Sequence, residues 1–276
     1  MKLKPYFIWM GNWSDMSGGT AVLNVLAERL RRLGAQVYLS SDDQNPNFGR
    51  FPLINSFVDN KEDVIAIYPE VVGGSNPFGC GIVVHYILNA PGFFNIPFNP
   101  SLNDILFVHK GFEHSVNLPK ERILSLHFMT LHKSYDMKKE RTKVFCFRGK
   151  GSQPDIEKLK DIERIEPYIK QGQDVLCEVL NQTKILYCYD NISAIVESAR
   201  LCGCPVVIIP DKKYPESSFR NGITFNLGGL GYGLEEEEYA TQSIDAERMR
   251  KFYAEDWEDA MNIDVRRFFK ITQKGK

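Results

Sequence analysis

Apolar positions along the chain fall in short runs, and their spacing alternates between that of a strand and that of a helix. Tyr6 to Met10 is a compact apolar run and Gly11 to Ser17 is polar; Val22, Val25, Leu26, Leu30 and Leu33 then recur at helical spacing. Gly34 stands where a C′ glycine ends a helix. A second run, Gln36 to Ser40, follows at once, so the first forty residues predict a β-α-β unit of the doubly wound type. Further runs at Val64 to Ile67, Ile82 to Leu88, Ile105 to Val108 and Ile123 to Leu126 predict sheet strands, joined by irregular loops rich in Gly, Pro and Asn.

Between Met129 and Thr142 the chain turns basic and polar (His132, Lys133, Lys138, Lys139, Arg141), and a new β-α alternation begins after it. Lys143 to Phe147, Lys184 to Tyr189 and Pro205 to Ile209 read as strands; Pro154 to Tyr168, Asp174 to Asn181 and Ile192 to Leu201 read as helices. Near the end, Glu235 to Glu238 opens a helix by favouring its positive pole, and Met261, Val265 and Phe268 mark a last amphipathic segment. The expected fold class is α/β, with two facing doubly wound, Rossmann-like domains over residues 1–135 and 136–255 and a segment, 256–276, that returns toward the first.

Composition narrows the function classes. At 276 residues, 43% hydrophobic and 25% charged, the chain matches a globular protein with room for two modest cores. Thirty-four Lys and Arg against 35 Asp and Glu leave a net charge of −1, so no overall field draws it to nucleic acid, and phosphate must be met at a local site. The six cysteines lie in apolar stretches and read as buried thiols, with Cys202-x-Cys204 a weak metal signal. The first apolar run is shorter than a secretory core, and no segment approaches a membrane span; the expectation is a cytoplasmic protein, at most peripheral to the inner face of a membrane.

Facing doubly wound units would form a cleft at the carboxyl ends of their strands, and the candidate residues cluster there in the sequence. Strand Lys143 to Phe147 runs into Arg148-Gly149-Lys150-Gly151, two cations on a glycine-containing turn that suits a diphosphate, whose charge they would offset as a nucleotide departs. After strand Lys184 to Tyr189 come Asp190 and Asn191, good N-cap residues, and exposed amides at that helix start would add an anion site. Ser193 and Glu197 follow on the same element; a carboxylate one to two turns into a helix can reach vicinal hydroxyls of a ribose.

Residues 187–209, YCYDNISAIVESARLCGCPVVII, resemble the nucleotide-sugar-binding segment of GT-B glycosyltransferases: strand, acidic turn, helix with Glu197-Ser198-Ala199, then Gly203 and Pro205-Val206-Val207. Ser17-Gly18-Gly19-Thr20 resembles the family's first loop, and Ile67-Tyr68-Pro69-Glu70 with Val83 to Gly92 resembles the amino-terminal domain of bacterial surface-polysaccharide transferases of O-antigen or capsule type. The resemblance implies GT-B architecture and transfer of a sugar, of hexosyl or deoxyhexosyl class, from a nucleotide diphosphate donor to a saccharide or lipid-linked saccharide hydroxyl. It implies that Glu197 holds the donor ribose, with Asp190, Asn191 and Ser193 beside it, and that Gly18 and Gly19 approach the donor phosphate or sugar. Where many retaining members carry a glutamate eight residues before the ribose glutamate, this chain has Tyr189, with Asp190 next to it.

Asp15 and His85, the latter read as lying at a strand end, are the candidate bases toward an acceptor hydroxyl. No Asp-x-Asp triplet occurs, so metal-independent transfer is expected, with no cofactor. Two rivals stand beside this reading. A nicotinamide-dependent dehydrogenase would use Asp42 or Asp43 near the end of the first unit, but Gly11, Gly18 and Gly19 do not form G-x-G-x-x-G. A catalytically silent nucleotide-sugar-binding subunit would keep the same binding residues without turnover.

Overall fold

The computed structural model describes residues 3–13, 17–46, 48–54, 60–72, 76–126, 135, 138–151, 156–190, 193–211, 216, 219–220 and 227–275. The chain divides into two compact units, one formed by Met1–Phe128 with Asp259–Lys276 and the other by Met129–Glu258.

The first unit is a six-stranded parallel sheet of β1 (Tyr6–Ile8), β2 (Val37–Leu39), β3 (Ile65–Pro69), β4 (Ile82–Ile87), β5 (Ile105–His109) and β6 (Ile123–Leu124), in the order β2-β1-β3-β4-β5-β6. Its central strands are buried on both faces, which is why they read as unbroken apolar runs. Helix α1 (Gly18–Arg32) joins β1 to β2. Ser17 caps its start by accepting from the Thr20 amide at 3.3 Å, and Gly34, at φ +87°, takes the left-handed turn that ends it. One face of the sheet packs Phe7, Val64, Ala66, Tyr68 and Val83 into a core.

The second unit is a five-stranded parallel sheet of β7 (Lys143–Phe147), β8 (Glu163–Arg164), β9 (Thr183–Cys188), β10 (Val206–Ile208) and β11 (Leu230–Tyr232), in the order β11-β10-β9-β7-β8. Helices α2 (Glu166–Ile169), α3 (Gln173–Gln182), α4 (Ile195–Leu201) and α5 (Glu237–Ser243) connect or follow these strands. Arg141, from the basic stretch before β7, donates to the carbonyls of Leu180 and Thr183, each at 2.9 Å, and to that of Cys202. It thereby ties the ends of α3 and α4 to the start of β9, where a cation also suits the helix dipoles.

The helix expected over Pro154 to Tyr168 is not the observed structure. Among the described residues, a single 3-10 turn at Glu157–Leu159, strand β8 and the short α2 occupy the segment. Ile156, Leu159, Ile162 and Ile165 repeat every three residues, a spacing that drifts off one face of an α-helix. Pro167 would fall in the last turn of such a helix, where its missing amide and its ring break the bond to residue 163, whereas in α2 it falls in the first turn, where no amide donor is needed.

Helix α6 (Ala246–Lys274) closes the chain, and its residues from Asp259 count with the first unit. There Phe268 lies 4.6 Å from the Phe107 ring, Thr272 bonds the Tyr6 hydroxyl at 2.6 Å, and Asp264 accepts from the Ser125 amide at 3.0 Å.

Candidate functional site

The two sheets share one strand logic. Counted within each unit, both run in the order 2-1-3-4-5, the first extended by a sixth strand, so the order reverses between the first and third strands. In an open parallel sheet, ligands bind outside the carboxyl ends of the strands at such a reversal. In the second unit this point lies between β7 and β9, and the segments that leave it there are Arg148–Gly151 and the stretch from Tyr189 onward.

The β7 turn is locked down by its backbone. The Gly151 amide donates to the Arg148 carbonyl at 3.3 Å, and Gly149 has φ +50°, which disfavours a side chain. A β-carbon on Gly151 would stand 1.6 Å from the Tyr189 carbonyl oxygen, and one on Gly149 would stand 2.6 Å from the Asp190 side chain and from the Phe147 ring. The glycines therefore let the turn press onto the end of β9. Sequence reasoning expected them to bring backbone close to a ligand and did not see this packing role. Two further amides of the turn are engaged within the protein: Arg148 donates its N–H to Glu166 Oε1 at 2.9 Å, and Lys150 donates its N–H to Asp190 Oδ2 at 3.0 Å. Burial pushes the Glu166 carboxyl up, but hydrogen bonds from the Arg164 side chain and the Arg148 amide outweigh it and leave the group below the usual range.

The side chains of the same turn face a different environment. Lys150 is exposed and Arg148 half-buried, its guanidinium carbon 5.4 Å from the centre of the Tyr189 ring. Two cations thus stand at the strand reversal on a turn whose backbone is hydrogen-bonded to the protein.

The helix after β9 begins later than expected. Asp190 is not its cap: α4 starts at Ile195 and its N-cap is Ala194, with no side-chain cap bond among the described residues. Asp190 is buried and serves the Lys150 amide, while its carbonyl accepts from the Ser193 amide at 3.2 Å. Asn191 lies outside the described residues. The amides that open α4 are those around Ile195, three residues beyond the expected start at Ile192.

Glu197 is the one residue of α4 that is not buried. Its Oε2 accepts from Arg200 NH1 at 3.0 Å, and Arg200, with no exposed surface, also donates from Nε to the Gly228 carbonyl at 2.9 Å. Sequence reasoning passed over Arg200. The available signal was its position, four residues after Val196 and next to Ala199, where a cation interrupts the apolar face.

In the first unit the reversal lies between β1 and β3. Gly18 and Gly19 form the first turn of α1, which follows β1, and a β-carbon on Gly19 would make ordinary contact with Leu88 at 3.8 Å. Asp15 lies outside the described residues. Just past β3, Glu70 is buried and accepts from the Leu88 amide at 2.8 Å.

His85 is not at a strand end. It is the fourth residue of six in β4, 1% exposed, with Nε2 3.0 Å from Asp104 Oδ2 and the Phe98 ring edge-on at 5.3 Å. Burial lowers its pKa against the pull of Asp104. Such a histidine is an internal packing group, and it is withdrawn as a base toward an acceptor. All six cysteines are buried free thiols, as their apolar surroundings predicted. No described helix is long and apolar enough to cross a membrane.

No protein-family model and no curated protein sequence matches the chain. Among solved structures it is similar to AviGT4, a glycosyltransferase involved in avilamycin A biosynthesis, at 13% identity over 98% of both chains with a TM-score of 0.45. It is similar to WaaG, a glycosyltransferase involved in lipopolysaccharide biosynthesis, at 9% identity over 96% of this chain and 95% of that one, TM-score 0.45. A third likeness is to Anabaena HepE, solved in complex with UDP-glucose, at 11% identity over 95% and 93% of the two chains, again with a TM-score of 0.45. Likeness at this level leaves the chemistry to the residues of this chain.

Proposed function

We propose that this protein is a glycosyltransferase of two-domain GT-B type that transfers a sugar from a nucleotide diphosphate donor to a saccharide or lipid-linked saccharide hydroxyl. The observation that carries the reading is the pair Arg148 and Lys150 on a turn held rigid at the β7–β9 reversal. Charge builds on the diphosphate as the glycosidic bond breaks, and cations fixed beforehand stabilise that charge with little reorganisation. Glu197 receives the donor ribose from the second unit. The residues assigned to the leaving group are cations only, so transfer proceeds without a divalent metal.

The test is a thermal-shift panel of UDP, GDP, ADP, CDP and dTDP, their sugar derivatives and NADH. A nucleotide diphosphate that binds the folded chain stabilises it by ~2.7 kcal/mol at a hundredfold excess over its dissociation constant. Arg148→Ala and Lys150→Ala should each reduce that shift. A shift with NADH alone would favour a dehydrogenase. Binding without release or transfer of sugar from any bound donor would favour a silent subunit.

A further inference from the structure

We infer that Arg200 is a positioning residue that sets the specificity of the site for a ribose bearing its hydroxyls, by fixing the Glu197 carboxylate from beneath; the inference rests on the donor reading above. A guanidinium with no exposed surface is costly to bury and persists only when its hydrogen bonds and charge are met. Among the bonds that meet them, two anchor Arg200 in different ways. Nε donates to the backbone carbonyl of Gly228, in the segment that leads into β11, and NH1 donates to Glu197 Oε2 at 3.0 Å. The carbonyl bond fixes the planar fork relative to the sheet, so the bond to Glu197 transmits that position to the carboxylate three residues back on α4.

A carboxylate has about four acceptor sites, and the Arg200 contact uses one of the Glu197 oxygens, Oε2. A glutamate side chain otherwise samples several rotamers, and holding it in one removes an entropy cost from each binding event. A lysine in the same place would carry the charge on a flexible stem and could not span both anchors with one rigid plane.

The experiment compares dissociation constants for ribose and deoxyribose nucleotide pairs: UDP with 2′-deoxy-UDP and 3′-deoxy-UDP, and the same sets for ADP and GDP. In the unmutated protein, losing a hydroxyl that bonds an ionised carboxylate should weaken binding roughly tenfold or more. Glu197→Gln should bring that ratio close to one. Arg200→Lys, checked for a native circular dichroism spectrum, should lower the ratio at least threefold, while affinity for the deoxy form changes little. A merely structural role would weaken the ribo and deoxy forms together and leave the ratio unchanged, and that result overturns the inference.

Should Arg200→Lys not fold, the unmutated protein still decides. In arginine-¹⁵N-labelled protein, the Arg200 Nε–H signal, assigned through its own backbone, should move more with UDP than with the deoxy form that loses the carboxylate contact. Equal movement overturns the inference. The donor reading fails separately: a ribo-to-deoxy ratio unaffected by Glu197→Gln, or no binding by any pair, removes Glu197 from the ribose and the inference with it.

Discussion

Gly151→Ala should be among the most damaging single-methyl additions in the second unit. The added carbon would stand 1.6 Å from the Tyr189 carbonyl oxygen and 2.4 Å from its carbon, and both are backbone atoms of the chain leaving β9, so no side-chain rotation relieves the clash. The turn must lift. The first casualty is the 3.0 Å bond from the Lys150 amide to the buried Asp190 carboxylate. A bond to a charged acceptor contributes about 1.5–3 kcal/mol, and forcing the extra methyl between packed backbones costs about 1–3 kcal/mol more. The expected loss is therefore about 2.5–6 kcal/mol. Asp190→Ala removes that bond without the added methyl and should cost at least about 1.5–3 kcal/mol. Because both substitutions break the same bond, the double variant should fall short of the sum by about that amount. Urea unfolding followed by fluorescence in a Trp9→Phe, Trp13→Phe background reads the second unit through Trp257, since the two replaced residues lie in the first. If Gly151→Ala costs less than Asp190→Ala, or if the two add independently, the turn is not pinned as described.

Other outcomes follow from the same structure. Lys150→Ala should lower turnover by roughly 10² to 10³ while weakening donor binding far less, because its charge is needed most as the diphosphate departs; normal turnover at saturating donor would exclude this role. Transfer should persist in excess chelator, and a loss reversed by Mn²⁺ would contradict metal-independent chemistry. Arg141→Met strips a donor from three carbonyls at the ends of α3 and α4 and the start of β9, and should destabilise the second unit by about 2–4 kcal/mol in urea. His109, bonded to the Tyr86 hydroxyl at 2.7 Å, has its pKa lowered from 6.5 to about 4 by burial and then by nearby Lys110. The unfolded chain therefore takes up a proton first as pH falls. Stability is full above about pH 6.5 and is lost down to about pH 4, by at most about 3 kcal/mol, and His109→Gln should flatten urea-unfolding midpoints across that window.

Several elements were legible because burial on both faces leaves an unmistakable mark. Ile65–Pro69 and Ile82–Ile87 read as strands because a central parallel strand needs apolar residues at nearly every position. The elements that escaped notice lack that mark. Both residues of β8, Glu163 and Arg164, are exposed at the sheet edge, and β11 is three residues with Gly231 at its centre. At the β7 turn the sequence displayed the cations but not the job of the glycines. That depends on Glu166 and Asp190, 18 and 40 positions away, which no local pattern links to Arg148 and Lys150. Once those carboxylates hold the amides, the turn divides into two layers. Its backbone is held by contacts inside the protein, and its cationic charge is carried by the side chains of Arg148 and Lys150. Glycine is then a packing requirement and the cations a chemical one, so the two should separate under mutation. Changes at Gly151 should appear first in unfolding and those at Lys150 first in turnover.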